Sequence, residues 1–580
     1  MPSQSVLMLG AGFVTKPTLD ILTESGIPVT VACRTLESAK ALSAGIKGAT
    51  PISLDVSDDK ALDAEVGKHD LVISLIPYTF HATVIKSAIR QKKHVVTTSY
   101  VSPAMMELDQ AAKDAGITVM NEIGMDPGID HLYAVKTIEE VHKEGGKITS
   151  FLSYCGGLPA PEASGNPLGY KFSWSPRGVL LALRNAASFY QDGKVQNVAG
   201  PDLMDFAKPY HIFPGFALVA YPNRDSTPYK ERYNIPEAQT IIRGSMRYAG
   251  FPEFVMVLVK MGFLVEEEQD FWKTAIPWKE ATQKLLGASG SDEKSLVAAI
   301  DAKASFKNAE ERERILAGLR WIGIFSDEKI TPRKNPLDTL CAALEAKMQY
   351  AEGERDMVLL QHKFGIELAD GTKQVRTSTL CEYGSTEPNG YQAMAKLVGV
   401  PCAVAVKQVL NGTLSEKGIV APMSSKINDP LIKELHEDFF YVCPVHLKDK
   451  SFCIPKIDEA AVAAKKREQE LNEEKERLIK EYEEKQRKKK EKETEKDGKD
   501  KDKDKDDKKE KNKDNGEDKK DEDEKKSEEP EEEARIFELK STFYNARLQK
   551  RRQAEAAKRD RERVKQPGYF PDVPSDPPSK

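Results

Sequence analysis

The sequence predicts an α/β protein whose N-terminal part is organised around a parallel sheet. Three observations point to this. Residues 4–124 alternate short apolar runs with helical stretches, the rhythm of a parallel sheet with crossover helices. A Gly10-Ala11-Gly12 turn joins the first apolar run to the first helical stretch. Charge is unevenly distributed: positions 451–580 hold 38 Lys and Arg and 38 Asp and Glu, leaving 49 basic and 54 acidic residues in positions 1–450. More than half of the last stretch is charged, against roughly a quarter of an ordinary globular chain. Only the first 450 residues have the composition of a soluble enzyme.

Taken in order, the first candidate strands are Val6–Leu9, Val29–Cys33, Leu71–Leu75, His94–Thr98 and Thr118–Asn121, with helical patterns such as Pro17–Ser25 and Met105–Ala115 between them. From about residue 148 the strand-like runs Thr149–Tyr154, Gly215–Tyr221 and Gln239–Ser245 lie between longer Gly/Pro-rich loops. Helical periodicity then dominates 250–350, at Phe254–Gly262, Trp278–Leu286, Glu293–Ala304, Ala309–Ile322 and Leu337–Ala351. Asp356–His362 and Gln374–Leu380 flank an Asp370-Gly371 turn and predict a hairpin. A helix near Tyr391–Asn411, a short run Gly418–Pro422 and a helix Pro430–Glu437 close the body. In the tail, 459–492 predicts a solvated helix and 493–530 disorder. Residues 531–563 read as helix, with Ile536, Leu539, Phe543 and Leu548 as an apolar stripe.

Composition narrows the function classes. The N-terminus enters a strand at once, without the basic region and cleavage site of a secretory signal. The longest apolar run, Phe251 to Val265, is interrupted by Glu253 and Lys260 and falls short of the ~20 residues of a membrane span. Seven scattered cysteines without a CxxC pair read as reduced thiols, and nine dispersed histidines offer no metal-ligand spacing. The expectation is a cytoplasmic enzyme without a metal or a membrane segment. The basic run 546–565 is interleaved with acidic residues, which favours a solvated helix over a nucleic-acid surface.

Gly10, Ala11, Gly12, Phe13 and Val14 carry the first chemical signal. Glycines between a strand and a helix allow a tight turn and let a pyrophosphate approach backbone N–H groups at the helix start. The third fingerprint position, usually Gly or Ala, is Thr15. An NAD enzyme places a carboxylate at the end of the second strand, where it binds the ribose hydroxyls. This chain has Arg34-Thr35 there. A guanidinium attracts a 2′-phosphate by charge and by bidentate geometry, so the predicted cofactor is NADP.

Beyond these motifs, the stretches LGAGFVTKPTLDIL, SLIPYTFH, VTTSYVSP, NEIGMDPGIDH, YCGGLPAPEASGNPLGYKFSWSPRGVL, YPNRDS, IIRGSMRYAGFPEF, MVLLQHKF, RTSTLCEYG and IVAPMSSKINDPLI occur in order across residues 3–435. Together they resemble the NADP-dependent, glutamate-forming saccharopine dehydrogenases, the saccharopine reductases of fungal lysine biosynthesis. The resemblance implies a variant Rossmann domain (1–128, completed by about 390–440) and a mixed α/β substrate and dimerisation domain (129–249 and 352–389). It also implies an inserted helical domain (250–351) and a charged tail (445–580) outside the family. The implied reaction condenses 2-aminoadipate 6-semialdehyde with glutamate to an imine, which NADPH reduces to saccharopine, and the implied assembly is a homodimer.

The same resemblance implies a set of site residues. Gly10 to Val14 would surround the pyrophosphate, Cys33, Arg34 and Thr35 the 2′-phosphate end, and Asp55 the adenine. Leu75, Ile76, Thr98, Met125 and Ser175 would complete the cofactor site, with Trp174 as a cover. Ser99, Tyr100, Asp126, Arg224, Ser245, Met246 and Arg247 would bind substrate, and Arg224 is the strongest carboxylate anchor among them. Asp126, Tyr100 and Cys155 are the acid–base candidates. Asp126 also reads, with less weight, as a cap or turn residue before Pro127-Gly128, and Cys155 reads equally as a small core residue.

After Ile432 the chain departs from the family, whose helix would lead into a short apolar strand and stop. Here Leu435–Phe440 runs into FYVCPVHLKDKSFCIPK, as a gene-model fusion or a retained intron would produce. The final strand is then lost from the sheet or replaced by FYVC. Two other functions are compatible with parts of the sequence: reduction of another amino-acid or polyamine imine, or an inert Rossmann scaffold with a partner-binding tail. Arg224, Ser99 and Tyr100 favour a polycarboxylate, and the glycines with Arg34 speak against inertness.

Overall fold

The computed structural model describes residues 4–387, 390–438, 453–455 and 537–539. Within Met1–Phe439, the first of two compact units, the strands in chain order are β1 (Val6–Leu9), β2 (Val29–Cys33), β3 (Ala49–Ser53), β4 (Leu71–Ser74), β5 (His94–Thr97) and β6 (Thr118–Met120). Then follow β7 (Lys147–Pro159), β8 (Ala187–Gln191), β9 (Lys194–Val198), β10 (Lys208–Pro209), β11 (Leu218–Pro222), β12 (Thr240–Tyr248), β13 (Asp356–Glu367), β14 (Lys373–Tyr383) and β15 (Gly418–Val420).

The first sheet is parallel throughout, in the order β15-β6-β5-β4-β1-β2-β3. This is the doubly wound Rossmann order extended by one strand. Its direction of winding reverses between β1 and β4, so a crevice forms beyond their C-terminal ends. β1 and β4 are wholly buried, which is why they read as unbroken apolar runs. Ala49–Ser53 escaped the sequence reading because it is a half-exposed edge strand containing Pro51. The helix expected over Met105–Ala115 is two short ones, Pro103–Met106 and Asp109–Asp114.

The run Gly418–Val420 is the seventh parallel strand, pairing with Thr118–Met120. The chain thus returns to the first sheet after the whole second sheet and the helices have been made. Helix Ala393–Leu410 packs in the same core as Val6, Met8, Ile73 and Val96. It has the length and mean hydropathy, 1.5, of a membrane span, but 72% of it is buried inside the protein. Its Gly399 lies against the start of the first helix. A β-carbon at 399 would lie 2.9 Å from Pro17 Cβ and 3.0 Å from Val14 O. Close packing at this point is therefore secured by a glycine on the neighbouring helix, and Thr18 Oγ1 donates to Gly399 O at 2.9 Å.

The second sheet has the order β10-β11-β12-β7-β13-β14, with the β8–β9 hairpin attached to β12. β7 and β12 are parallel and the other neighbours antiparallel. β7 extends to Pro159, beyond the expected Tyr154, through Gly156 and Gly157. Glycines read as a strand break, but here they admit neighbours: a β-carbon at 157 would lie 2.5 Å from Met394 Cε. Helices Phe251–Met261, Trp278–Leu286, Glu293–Lys303, Ala309–Ile322 and Pro336–Lys347 share a core centred on Phe254, Trp272, Leu319 and Leu340.

The last helix of this unit is Ser425–Asp438. Residues 440–443, the candidate replacement strand, and most of the tail lie outside the described residues. Within the second unit, Cys453–Pro455 pairs antiparallel with Phe537–Leu539, so Leu539 lies in a strand and not in the expected helix.

Candidate active site

Four loops meet beyond the C-terminal ends of the parallel strands. After β1, Gly10 adopts φ +110, and a β-carbon there would lie 2.6 Å from Leu75 O and 3.5 Å from Ile76 Cγ2. Gly10 therefore lets the first and fourth strand ends touch. Gly12 has nothing within 4 Å of where its β-carbon would stand. The room there fits a pyrophosphate over the start of helix Lys16–Glu24. Phe13 is half exposed, and Ala11 and Val14 are half-buried. Beyond β2, Cys33 is half-buried beside Gly10, while Arg34 and Thr35 are exposed. Asp55 is exposed, and its Oδ1 accepts from Ser57 N at 3.0 Å and Ser57 Oγ at 2.6 Å. No acidic residue stands at position 34 or 35, so the dinucleotide end of the site fits NADP.

The loops after β5 and β6 carry the substrate side. Gly124 N donates to Pro127 O at 2.9 Å, and a β-carbon at Gly128, φ +148, would meet Gly124 backbone at 2.0 Å. This loop, closed only because position 128 is glycine, presents Asp126. Asp126 is not a helix cap. Its Oδ1 accepts from Tyr100 Oη at 2.6 Å and from Arg243 at 2.6 Å. The same Arg243 nitrogen reaches Asp130 Oδ2 at 2.5 Å and Tyr100 Oη at 3.2 Å. The Arg243 guanidinium also stacks 4.2 Å above the Tyr229 ring. Arg224, in a left-handed conformation (φ 56), is exposed and places its guanidinium 5.1 Å from the Tyr100 ring centre. Among the described residues it has no carboxylate partner.

Burial would raise the Asp126 carboxyl, but Arg243 and the Tyr100 hydrogen bond outweigh it and hold it below the ordinary range. Burial pushes the Tyr100 phenol and the Cys155 thiol well up. Both therefore keep their protons near neutrality. Cys155 Sγ lies 3.5 Å from Met125 Sδ.

β12 supplies the far wall. Its alternation places Arg243, Ser245 and Arg247 on one face. Arg247 is buried, donates to Met246 O at 2.6 Å and lies 5.0 Å over the Tyr170 ring. Ser245 Oγ accepts from Asn223 at 3.2 Å. The Met246 side chain lies on the opposite face, in a core with Leu158, Ala220 and Leu359, while its carbonyl accepts from Arg247. Ser175 caps helix Pro176–Ala182 by accepting from Gly178 N. Thr98 sits against Gly124, whose β-carbon would approach Thr98 Cβ to 3.2 Å.

Sequence reasoning missed Arg243, although it lies within the quoted IIRGSMRY stretch. Period-two alternation back from Ser245 would have found it. It also missed Asp130, His131, Glu122 and His81. His81 bridges Ser74 Oγ at 2.8 Å and Ser99 Oγ at 2.9 Å, orienting the Ser99 hydroxyl. Burial pushes His81 down to about 4. The unfolded chain protonates this imidazole near pH 6.5 and the folded chain does not. Stability is therefore full above pH 6.5 and falls progressively toward pH 4, by up to about 3 kcal/mol from this group. His362, buried and facing Arg243, is pushed down to about 3 and acts in the same sense. We expect His81→Gln to flatten the dependence of urea-unfolding stability on pH between 6.5 and 4. An unchanged slope would assign the acid sensitivity elsewhere.

A Rossmann sheet with an open glycine turn, and a buried ionic cluster at the same edge, define a dinucleotide-dependent oxidoreductase. Comparison with known proteins narrows the class. Residues 6–120 match the saccharopine dehydrogenase NADP binding domain, and residues 124–440 the saccharopine dehydrogenase C-terminal domain. The chain is 75% identical over 444 residues to saccharopine dehydrogenase [NADP(+), L-glutamate-forming] of Pyricularia oryzae, covering 76% of this chain and 99% of that one. It is 59% identical over 449 residues to the protein of the same name in Saccharomyces cerevisiae, covering 77% of this chain and 99% of that one. The apo histidine-tagged saccharopine dehydrogenase (L-Glu forming) structure from Saccharomyces cerevisiae superposes with a TM-score of 0.70 at 60% identity, covering 75% of this chain and 98% of that one. This chain belongs to the saccharopine dehydrogenase family. Residues 427–575 match a different family, AAA-ATPase Vps4-associated protein 1, so the two family matches overlap at 427–440.

Proposed function

We propose that this chain is an NADP(H)-dependent oxidoreductase of lysine biosynthesis that interconverts saccharopine with 2-aminoadipate 6-semialdehyde and L-glutamate. The match over 99% of the Pyricularia oryzae relative carries this reading. Bound NADP supplies or accepts the hydride. The chain's own residues hold the substrate. The Asp126 carboxylate, anionic beside Arg243, faces the positive charge of the substrate amine or protonated imine. Tyr100 and Cys155, which retain their protons, act as donors and not as bases. Ser99, Arg224, Ser245 and Arg247 are a hydroxyl and guanidinium set suited to the carboxylates of saccharopine. The reading extends to a cytoplasmic homodimer, supported by the family resemblance and testable by light scattering and cell fractionation.

The test is NADPH formation from saccharopine by the purified full chain, run beside NAD. Turnover with NADP and little with NAD is expected, and no saccharopine turnover would overturn the reading. Arg34→Asp should weaken NADP(H) binding by about 10- to 100-fold, equivalent to roughly 1.5–3 kcal/mol for a hydrogen bond to a charged group. It should also narrow the preference over NAD. A wild-type enzyme that already prefers NAD would remove Arg34 from the cofactor site.

A second module is favoured by the match over residues 427–575. The charged tail then docks an AAA-ATPase of the Vps4 type while the catalytic body works independently of it. Retention of that ATPase by the full chain, and its loss from a chain ending at residue 455, is the expected result. Equal retention by both would overturn this assignment.

A further inference from the structure

Just after β6, Glu122 is fully buried and adopts φ +58, a left-handed conformation unfavourable for a residue with a β-carbon. Such a residue persists only where its surroundings hold it, and Glu122 is held on two sides. Its N–H donates to Ser99 O at 3.2 Å, and its Oε1 accepts from Val101 N at 3.0 Å. These two bonds straddle Tyr100 and fasten the loop that carries it. On the other side, Oε2 lies 2.7 Å from Arg232 and 2.9 Å from His131 Nε2. His131 is itself fully buried, with Nδ1 2.6 Å from Tyr233 Oη and 3.4 Å from Asp130 Oδ2. Asp130 completes the chain by its contact with Arg243, which also holds Asp126.

Two branches therefore run from one carboxylate to the reacting cluster. One reaches Tyr100 through the 99–101 backbone. The other reaches Arg243 through His131 and Asp130. Burial alone would raise the Glu122 carboxyl, but the His131 imidazole 2.9 Å away and the Arg232 guanidinium outweigh it and hold it at about 2. It is thus a permanent anion at working pH. No member of this chain beyond Asp126, Tyr100 and Arg243 has a place in the chemistry proposed above.

We infer that Glu122 is a positioning residue that fastens the 99–101 loop and so sets Tyr100 against Asp126 in the geometry the substrate nitrogen requires. The inference rests on the saccharopine reading of the site. A positioning role acts through Tyr100, whereas a general structural role does not, and a double-variant cycle separates them. Glu122→Met keeps roughly the size but removes the acceptor for Val101 together with the charge. It should lower kcat for saccharopine 10- to 100-fold, change its KM less than threefold and leave the NADPH Kd unchanged. In a Tyr100→Phe background the same substitution should cost less than threefold in kcat. Additive losses, or a parallel loss of NADPH binding, would overturn the inference. Should Glu122→Met fail to fold, Glu122→Asp, which keeps the charge but draws the acceptor back from Val101, is measured in the same cycle with the same expectations. Absence of saccharopine turnover in the wild type would instead overturn the parent reading, and with it the role of Glu122. Full kcat in Tyr100→Phe would remove Tyr100 from the chemistry and refute the positioning route through it.

Discussion

Arg243→Met should cost about 3–5 kcal/mol of stability, the range for removing one partner of a buried ion pair. It should also cut turnover at least a hundredfold, as loss of a preorganised charge in a buried site does. Among the described residues Arg243 alone bridges Asp126 and Asp130, at 2.6 and 2.5 Å, and its removal leaves the buried Asp130 and the partly buried Asp126 carboxylates facing each other. Their repulsion would raise at least one carboxyl and displace the group that faces the substrate nitrogen. Urea unfolding and steady-state kinetics on the purified variant check both effects. Adding Asp130→Asn to the variant should restore part of the stability by removing one orphaned charge, but not the turnover. A stable, active Arg243→Met would mean that the cluster is dispensable and that the site lies elsewhere.

Arg224→Met should behave in the opposite way. This guanidinium is exposed, rests on the Tyr100 ring, and has no carboxylate partner among the described residues. Its loss removes no ion pair from the fold, so stability should change by no more than about 0.5 kcal/mol. The KM for saccharopine should rise by roughly one to two orders of magnitude, the loss of a charge-assisted pair to a substrate carboxylate. Cofactor affinity should not move. Equal damage to saccharopine and NADP binding would mark Arg224 as structural. The two arginines thus separate a residue that builds the site from one that waits for the ligand.

The contrast also shows which parts of the site a sequence reveals. Arg224 was legible because it stands in a short polar motif after an apolar strand. Arg243 was not, because a charge in the middle of a buried strand looks like an interruption until its partners are known. Those partners come from residues 100, 126 and 130, more than a hundred positions away. His81 was passed over for the same reason. A lone histidine on a helix has no visible role until Ser74 and Ser99 are brought to its two nitrogens. The tail illustrates a different limit. Its composition separated it from the body, and its apolar residues suggested a helical stripe, yet Phe537–Leu539 pairs as a strand with residues more than 80 positions earlier.

By itself the sequence determined the parallel β-sheet core, the glycine turn, the NADP preference and the boundary where charge replaces apolar residues. These follow from local rules: strand and helix periodicity, the space a glycine leaves, and the sign of the charge at the end of β2. Tertiary structure alone decided that Gly418–Val420 completes the first sheet, that Gly399 packs against Val14 and Pro17, and that Asp126 is an ion-paired anion and not a cap. Each of these depends on a contact between segments remote in the chain. Burial and pairing there reverse what the isolated residue would do, and no local pattern encodes them.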